Sequence, residues 1–212
     1  MLGFFFTELQ KFVTQELSES AWIEVLTKVG LGAKDSYMNG LYYPDEDMTR
    51  IVVGVANMTG LSIDDVLQKY GTFVGKDLFV AYKPLIDPSW RALDFLENVE
   101  ETIHKVVRAR NKKANPPRLV CNRLTDREIV IDYRSERKFC RVAQGIALGV
   151  AEHYGEPIDI VEETCMHRGD ASCKIWISLK KPATATPPPT GRSAVDEEED
   201  IWAEAESSAD NL

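Results

Sequence analysis

The chain has 212 residues, 44% of them hydrophobic, which is enough for one substantial core with residues to spare. Its net charge of -9 and isoelectric point near 5.0 argue against nucleic acid and against an anionic membrane surface, since either partner selects a basic face. No apolar run approaches the length of a membrane span, and the opening MLGFFFTELQKFV lacks the basic start and small-residue cleavage site of a signal peptide. A cytoplasmic chain is therefore expected, and its four cysteines read as buried thiols or metal ligands rather than a disulfide framework.

The first half reads as helices. Leu2, Phe5, Leu9, Phe12 and Val13 fall at helical spacing and predict a buried amphipathic helix. A second helix follows over residues 18–32, with Ser18 or Ser20 as N-cap and Gly30 or Gly32 as the stop. Residues 43–60 predict a third, with acids in its first turn and Gly60 at its end. Next comes 61–71, which Ser62 can cap with Asp65 three residues on. A short helix over 75–86 halts near Pro84. The longest pattern, 87–110, starts at Pro88 and Ser89 and carries Leu93, Leu96, Val99, Ile103, Val106 and Val107 on its apolar face.

NKKANPPR ends that helix, and the texture changes. RLVCNRL and EIVIDYRS are strand-like around a turn at Thr125 and Asp126, KFCRVAQGIALGVAEHYG returns to helix, and IDIVEETC and SCKIWISL are two more strands around MHRGDA. The plan is α+β: an N-terminal helical subdomain packed on a C-terminal half with a four-stranded antiparallel sheet and a helix. Residues 181–212, rich in Pro, Ala, Ser and acids, predict a disordered tail behind a domain spanning 1–180.

Candidates for chemistry are few. The sequence holds no G-x-S-x-G elbow, no P-loop and no G-x-G-x-x-G fingerprint, so no enzyme is expected. His104 falls on the flank of the long helix's apolar face, where it is either a half-buried helix histidine or an axial ligand aimed into a pocket. In DYRSERKFC, Tyr133, Ser135 and Arg137 alternate with period two, continuing the apolar face of Ile129 and Ile131. Either the strand leaves the core there, or the three converge on an anion at its edge. Cys165 and Cys173 bracket the MHRGDA turn, and Cys140 approaches from the preceding helix. Three thiolates and a fourth ligand would suit tetrahedral zinc, and three small buried residues would suit a core equally well. Cys121 has no evident partner.

Together these residues resemble the H-NOX family, the haem nitric oxide/oxygen-binding domains. DYRSERK matches its Y-x-S-x-R signature, FLENVEETIHKVV its proximal-histidine helix, and PPRL the segment after it, over roughly residues 1–180. The resemblance implies a haem b between the two halves, with His104 on the iron and Tyr133, Ser135 and Arg137 on the propionates. A guanidinium and two hydroxyls suit carboxylates at a pocket's rim. Pro117 matches the proline that presses on the porphyrin. Val142 stands where O2-binding members carry a donor tyrosine, and Ile146 and Phe5 are apolar neighbours, a pattern that implies preference for NO over O2. Tyr70, Tyr82 and Trp90 stay open as other distal groups.

Cys140, Cys165 and Cys173 also fall where some members bind zinc, but Glu162 replaces the family's histidine. The fourth ligand stays open between Glu162, His167, water and no zinc at all. The implied function is a cytoplasmic NO sensor that signals by a conformational shift to a histidine kinase or diguanylate cyclase in trans. Two rivals stand beside it. One is a haem-free small-molecule-binding module of the vinyl-reductase-related type with structural zinc, which the hairpin EETCMHRGDASCKIW also resembles. The other is a redox sensor acting through zinc thiolates.

Overall fold

The structure is a computed structural model that describes residues 1–32 and 37–180. The expected tail over 181–212 lies outside the described residues. Four helices come first: α1 (Gly3–Glu16), α2 (Glu19–Lys28), α3 (Asp45–Thr59) and α4 (Ile63–Tyr82). Then come α5 (Ala92–Val99), α6 (Lys105–Arg110), β1 (Arg118–Thr125), β2 (Glu128–Arg134), α7 (Cys140–Tyr154), β3 (Ile158–Thr164) and β4 (Cys173–Leu179). The four strands form one antiparallel sheet in the order β1-β2-β4-β3. This is the α+β arrangement read from the sequence.

The helix ends follow local chemistry. The Ser18 hydroxyl accepts from Ala21 N at 3.1 Å and that of Ser62 from Asp65 N at 3.0 Å, each satisfying a free first-turn donor. Asp45, Glu46 and Asp47 face the positive end of α3, and Gly60 closes it at φ +73°.

The residues read as two helices over 61–86 form one helix, α4, followed by a short 3-10 turn at Lys83–Leu85. Gly71 and Gly75 are not breaks. A Cβ at Gly71 would sit 2.3 Å from Val142 O, and one at Gly145 would sit 2.1 Å from Gln68 O. The glycines let the backbones of α4 and α7 touch, a tertiary reason that outweighs their cost of about 1 kcal/mol within a helix. The long helix is corrected too. Residues 87–89 form a turn in which Asp87 accepts from Ser89, and α5 begins at Ala92, where Asp94 caps Arg91 N at 3.0 Å. A π-helical turn at Glu100–His104 then interrupts the helix before α6.

The core has two parts. Phe6, Leu9, Met48, Ile51 and Val74 anchor the helical half, and Leu93, Ile129, Ile175 and Ile177 anchor the sheet half. Helix α7 belongs to both, giving Val142 to the first and Ala147 and Val150 to the second. Ile129 opposes Ile177 and Ile131 opposes Ile175 across β2 and β4. Each fully buried isoleucine is worth roughly 1.5–3 kcal/mol. An exposed pair such as Lys180–Asp159 is worth about 0–1 kcal/mol, so the apolar sheet face rather than surface charge holds this half together.

Candidate functional site

A cavity of about 290 Å³ lies between the two core clusters, with walls from α1, α4, α5, the π-turn, α6, β2 and α7. His104, Phe5, Val142 and Ile146 line it, and Pro117, Tyr133, Ser135 and Arg137 join them. Every residue assigned to the haem from the sequence thus meets at one cavity.

His104 ends the π-turn, half-buried, with Nδ1 2.9 Å from Glu100 Oε2. The other Glu100 oxygen accepts from the Arg108 guanidinium, and Leu119 N donates to Oε2 at 3.3 Å. Burial works against the Glu100 carboxylate, but the hydrogen bonds from His104 and Arg108 outweigh it and hold it below its ordinary range. Burial, helped by the charge of Arg108, lowers the pKa of His104 despite Glu100 and the Pro117 carbonyl. The imidazole is therefore neutral at pH 7. Because a carboxylate only accepts, the proton is assigned to Nδ1, which leaves the Nε2 lone pair available.

Tyr133 is buried on the inner face of β2, and burial raises its pKa while a hydrogen bond with Ser135 works the other way. The period-two reading holds through Tyr133 and fails beyond it. The strand ends at Arg134, and Ser135–Lys138 turn, with Lys138 N donating to Ser135 O at 3.1 Å and Lys138 at φ +54°. The turn, not strand alternation, brings Arg137 to the cavity. Its Nε donates to Asp45 Oδ2 at 2.7 Å and Nη1 to Asn115 O at 2.6 Å. Asp45 also meets the Met1 ammonium at 2.6 Å, and its carboxyl pKa is lowered because that ammonium and Arg137 outweigh burial. Only two of five guanidinium N–H groups are used in these bonds, so Arg137 retains donors for an anion.

Phe5, Val142 and Ile146 make an apolar part of the lining. Tyr70 also lines the cavity, but its hydroxyl already donates to Phe5 O at 2.7 Å. Tyr82 also lines the cavity, whereas Trp90 packs beside the sheet-half core.

These residues fit the haem that the sequence resemblance implies. A neutral imidazole held through Nδ1 presents Nε2, apolar walls suit a macrocycle, and unused guanidinium donors beside hydroxyls suit propionates. What the sequence reading missed is Glu100, Asp45 and Asn115. Glu100 was accessible from its i−4 spacing to His104; Asp45 and Asn115 meet Arg137 only through the fold.

A second cluster joins Cys140, Glu162, Cys165 and Cys173, whose ligand atoms all lie within 4.8 Å of one another. The Sγ atoms of Cys140 and Cys165, and of Cys165 and Cys173, are 3.8 Å apart. A tetrahedral ion with bonds of about 2.3 Å separates its sulfurs by about 3.8 Å. Burial, reinforced by the neighbouring thiols, raises the pKa of Cys140, and burial also raises that of Cys173. Glu162 meets Gln144 Nε2 at 3.0 Å and Arg141 and Arg168 at 3.4 Å. His167 is not in the cluster; its Nε2 lies 2.7 Å from Lys138 O. Cys121 stands apart against Leu96 O.

Among the described residues, no helix is long and apolar enough to cross a membrane. The soluble guanylate cyclase gcy-35 of Caenorhabditis elegans is 23% identical over 163 residues, covering 71% of this chain and 22% of that protein. The chain thus spans about a fifth of that relative's length. An H-NOX protein from Shewanella oneidensis in the Fe(II)NO state superposes with a TM-score of 0.78 at 27% identity, over 85% of this chain and all of that one. Unliganded Fe(II) H-NOX from K. algicida, at 22% identity and a TM-score of 0.78, shares the fold over 86% of this chain and 98% of its own. The haem-NO-binding family matches residues 2–162, and the chain belongs to that family, the H-NOX domains.

Proposed function

We propose that the chain holds haem b in this cavity and acts as a nitric oxide sensor rather than as a catalyst. When bound, the haem supplies a ferrous iron on which a diatomic gas can sit. His104, held through Nδ1, would offer Nε2 as the protein's ligand to that iron. Tyr133, Ser135 and Arg137, which line the same cavity, would hold the propionates, and Pro117 would pack against the ring. The observation that carries the choice of NO is the apolar wall of Phe5, Val142 and Ile146, where the nearby Tyr70 hydroxyl is already given to a carbonyl. Bound O2 carries partial negative charge and gains from a donor, whereas NO depends on one much less.

Signalling then runs through His104. His104 ends the π-turn, so a change in its hold on iron would be passed to that turn and would let the helical half shift against the sheet half. That shift changes affinity for a partner, because a sensor transmits only the difference in ligand binding between its two states. A histidine kinase or diguanylate cyclase acting in trans in the cytoplasm is the proposed partner. Residues 1–180 form the sensor domain and 181–212 an acidic tail.

Cys140, Cys165 and Cys173 hold zinc with Glu162 as fourth ligand, a reading supported by the 3.8 Å sulfur spacing. Metal analysis of the purified chain should return one zinc per chain, retained in Glu162→Gln at weaker affinity; a zinc-free chain that refuses added zinc sinks it. The sensor reading is tested by absorption spectra of the ferrous protein before and after NO. A Soret band that moves with NO and is little changed by air supports it. A colourless chain that cannot take up haemin overturns it in favour of a haem-free module.

A further inference from the structure

We propose that Glu100 is a positioning residue that tunes how strongly His104 binds iron, with Arg108 setting the strength of Glu100. The inference rests on the haem reading above and extends it to two residues that the sequence resemblance did not assign.

The geometry is a relay of three side chains. The π-turn carries Glu100 and His104, and α6 carries Arg108, so the carboxylate lies between the imidazole and the guanidinium. Glu100 Oε2 is 2.9 Å from His104 Nδ1, and its other oxygen accepts from Arg108. Leu119 N at the start of β1 also donates to Oε2, fixing the carboxylate from a third direction. All three groups are largely withdrawn from water, with side-chain exposures of 14% for Glu100, 16% for His104 and 25% for Arg108. A hydrogen bond in such surroundings is electrostatically stronger than one in water.

An imidazole that donates its Nδ1 proton to a carboxylate gains electron density at Nε2 and becomes a stronger ligand than one donating to water or a carbonyl. The carboxylate also fixes the ring's tautomer and direction. Arg108 opposes the effect, because it draws charge from the same carboxylate. The strength of the ligand is therefore set by a balance of two substitutable residues. Since the proposed signal is the loosening of His104, the same balance sets how readily NO releases it.

The tests use the full chain with and without haemin. In the haem-free chain, nitrogen-15 shifts of His104 should show the Nδ1–H tautomer, reverting toward Nε2–H in Glu100→Gln. Wild-type His104 with its proton on Nε2 would overturn the proposal even if haem never binds. In the ferrous haem-loaded chain, the iron–histidine stretch should fall in Glu100→Gln and rise in Arg108→Gln. Haem loss should speed up roughly tenfold or more in Glu100→Gln, in line with other residues that support metal ligands. With NO, the fraction retaining His104 should follow the same order: Arg108→Gln above wild type, wild type above Glu100→Gln. Mere loosening of the fold would shift both variants in one direction, and that result refutes the relay. A chain that takes up no haemin yet shows the expected tautomer would sink the sensor reading while leaving the Glu100 geometry standing.

Discussion

Two parts of the cavity lining are built on opposite principles. The His104 wall is polar and over-determined: the imidazole is tied to Glu100, and Glu100 in turn to Arg108 and Leu119. The part made by Phe5, Val142 and Ile146 is apolar, and the hydroxyl of Tyr70, which also lines the cavity, is already satisfied by Phe5 O. A buried polar group has to be paired, whereas an apolar wall discriminates by withholding a partner. One part therefore fixes the direction of an imidazole, and the other offers no hydrogen-bond donor of its own.

The largest expected effect comes from breaking the polar wall. His104→Ala should lose haem, or keep it only with added imidazole, and full retention with an unchanged spectrum would refute the assignment. At the contact between α4 and α7, Gly145→Ala forces a Cβ into the Gln68 carbonyl. Overpacking of this kind costs about 1–3 kcal/mol, so thermal unfolding should move down by several degrees while His104 keeps its role. An unshifted melting temperature would show that α4 and α7 can part without cost.

At the rim, Arg137→Ala should speed haem loss more than Ser135→Ala. Hydrogen bonds to charged groups are worth about 1.5–3 kcal/mol against about 0.5–1.5 for neutral ones. The reverse order in a haem-transfer assay would count against the propionate clamp. The smallest change in stability, and the sharpest in selectivity, is Val142→Tyr. It should add a donor to the apolar wall and allow a stable O2 spectrum in air, and failure would show that the hydroxyl cannot reach the ligand from position 142.

Much of this was legible in the sequence because it is local. The Ser18 and Ser62 caps, the Gly60 stop and the β2 face of Ile129, Ile131 and Tyr133 follow from spacing and side-chain chemistry. The candidate site was legible through motif resemblance, and the fold gathers those residues at one cavity. Other features were not local. Gly71 and Gly75 read as interruptions because a helix alone only loses by them; the gain comes from α7, seventy residues away. Arg137 seemed to continue a strand, since nothing nearby announces that Asp45 and Asn115 draw it into a turn.

What the sequence by itself determined is the order of helices and strands, the buried face of each, and the residue types able to meet a haem. Periodicity and capping act within a few residues and leave a readable trace. What only the tertiary structure decided is which backbones touch, where the long helix takes its π-turn, and which group holds His104. These depend on partners distant in sequence, or on a choice between several local ones, such as whether Glu100 turns inward to His104 and Arg108 or outward to water.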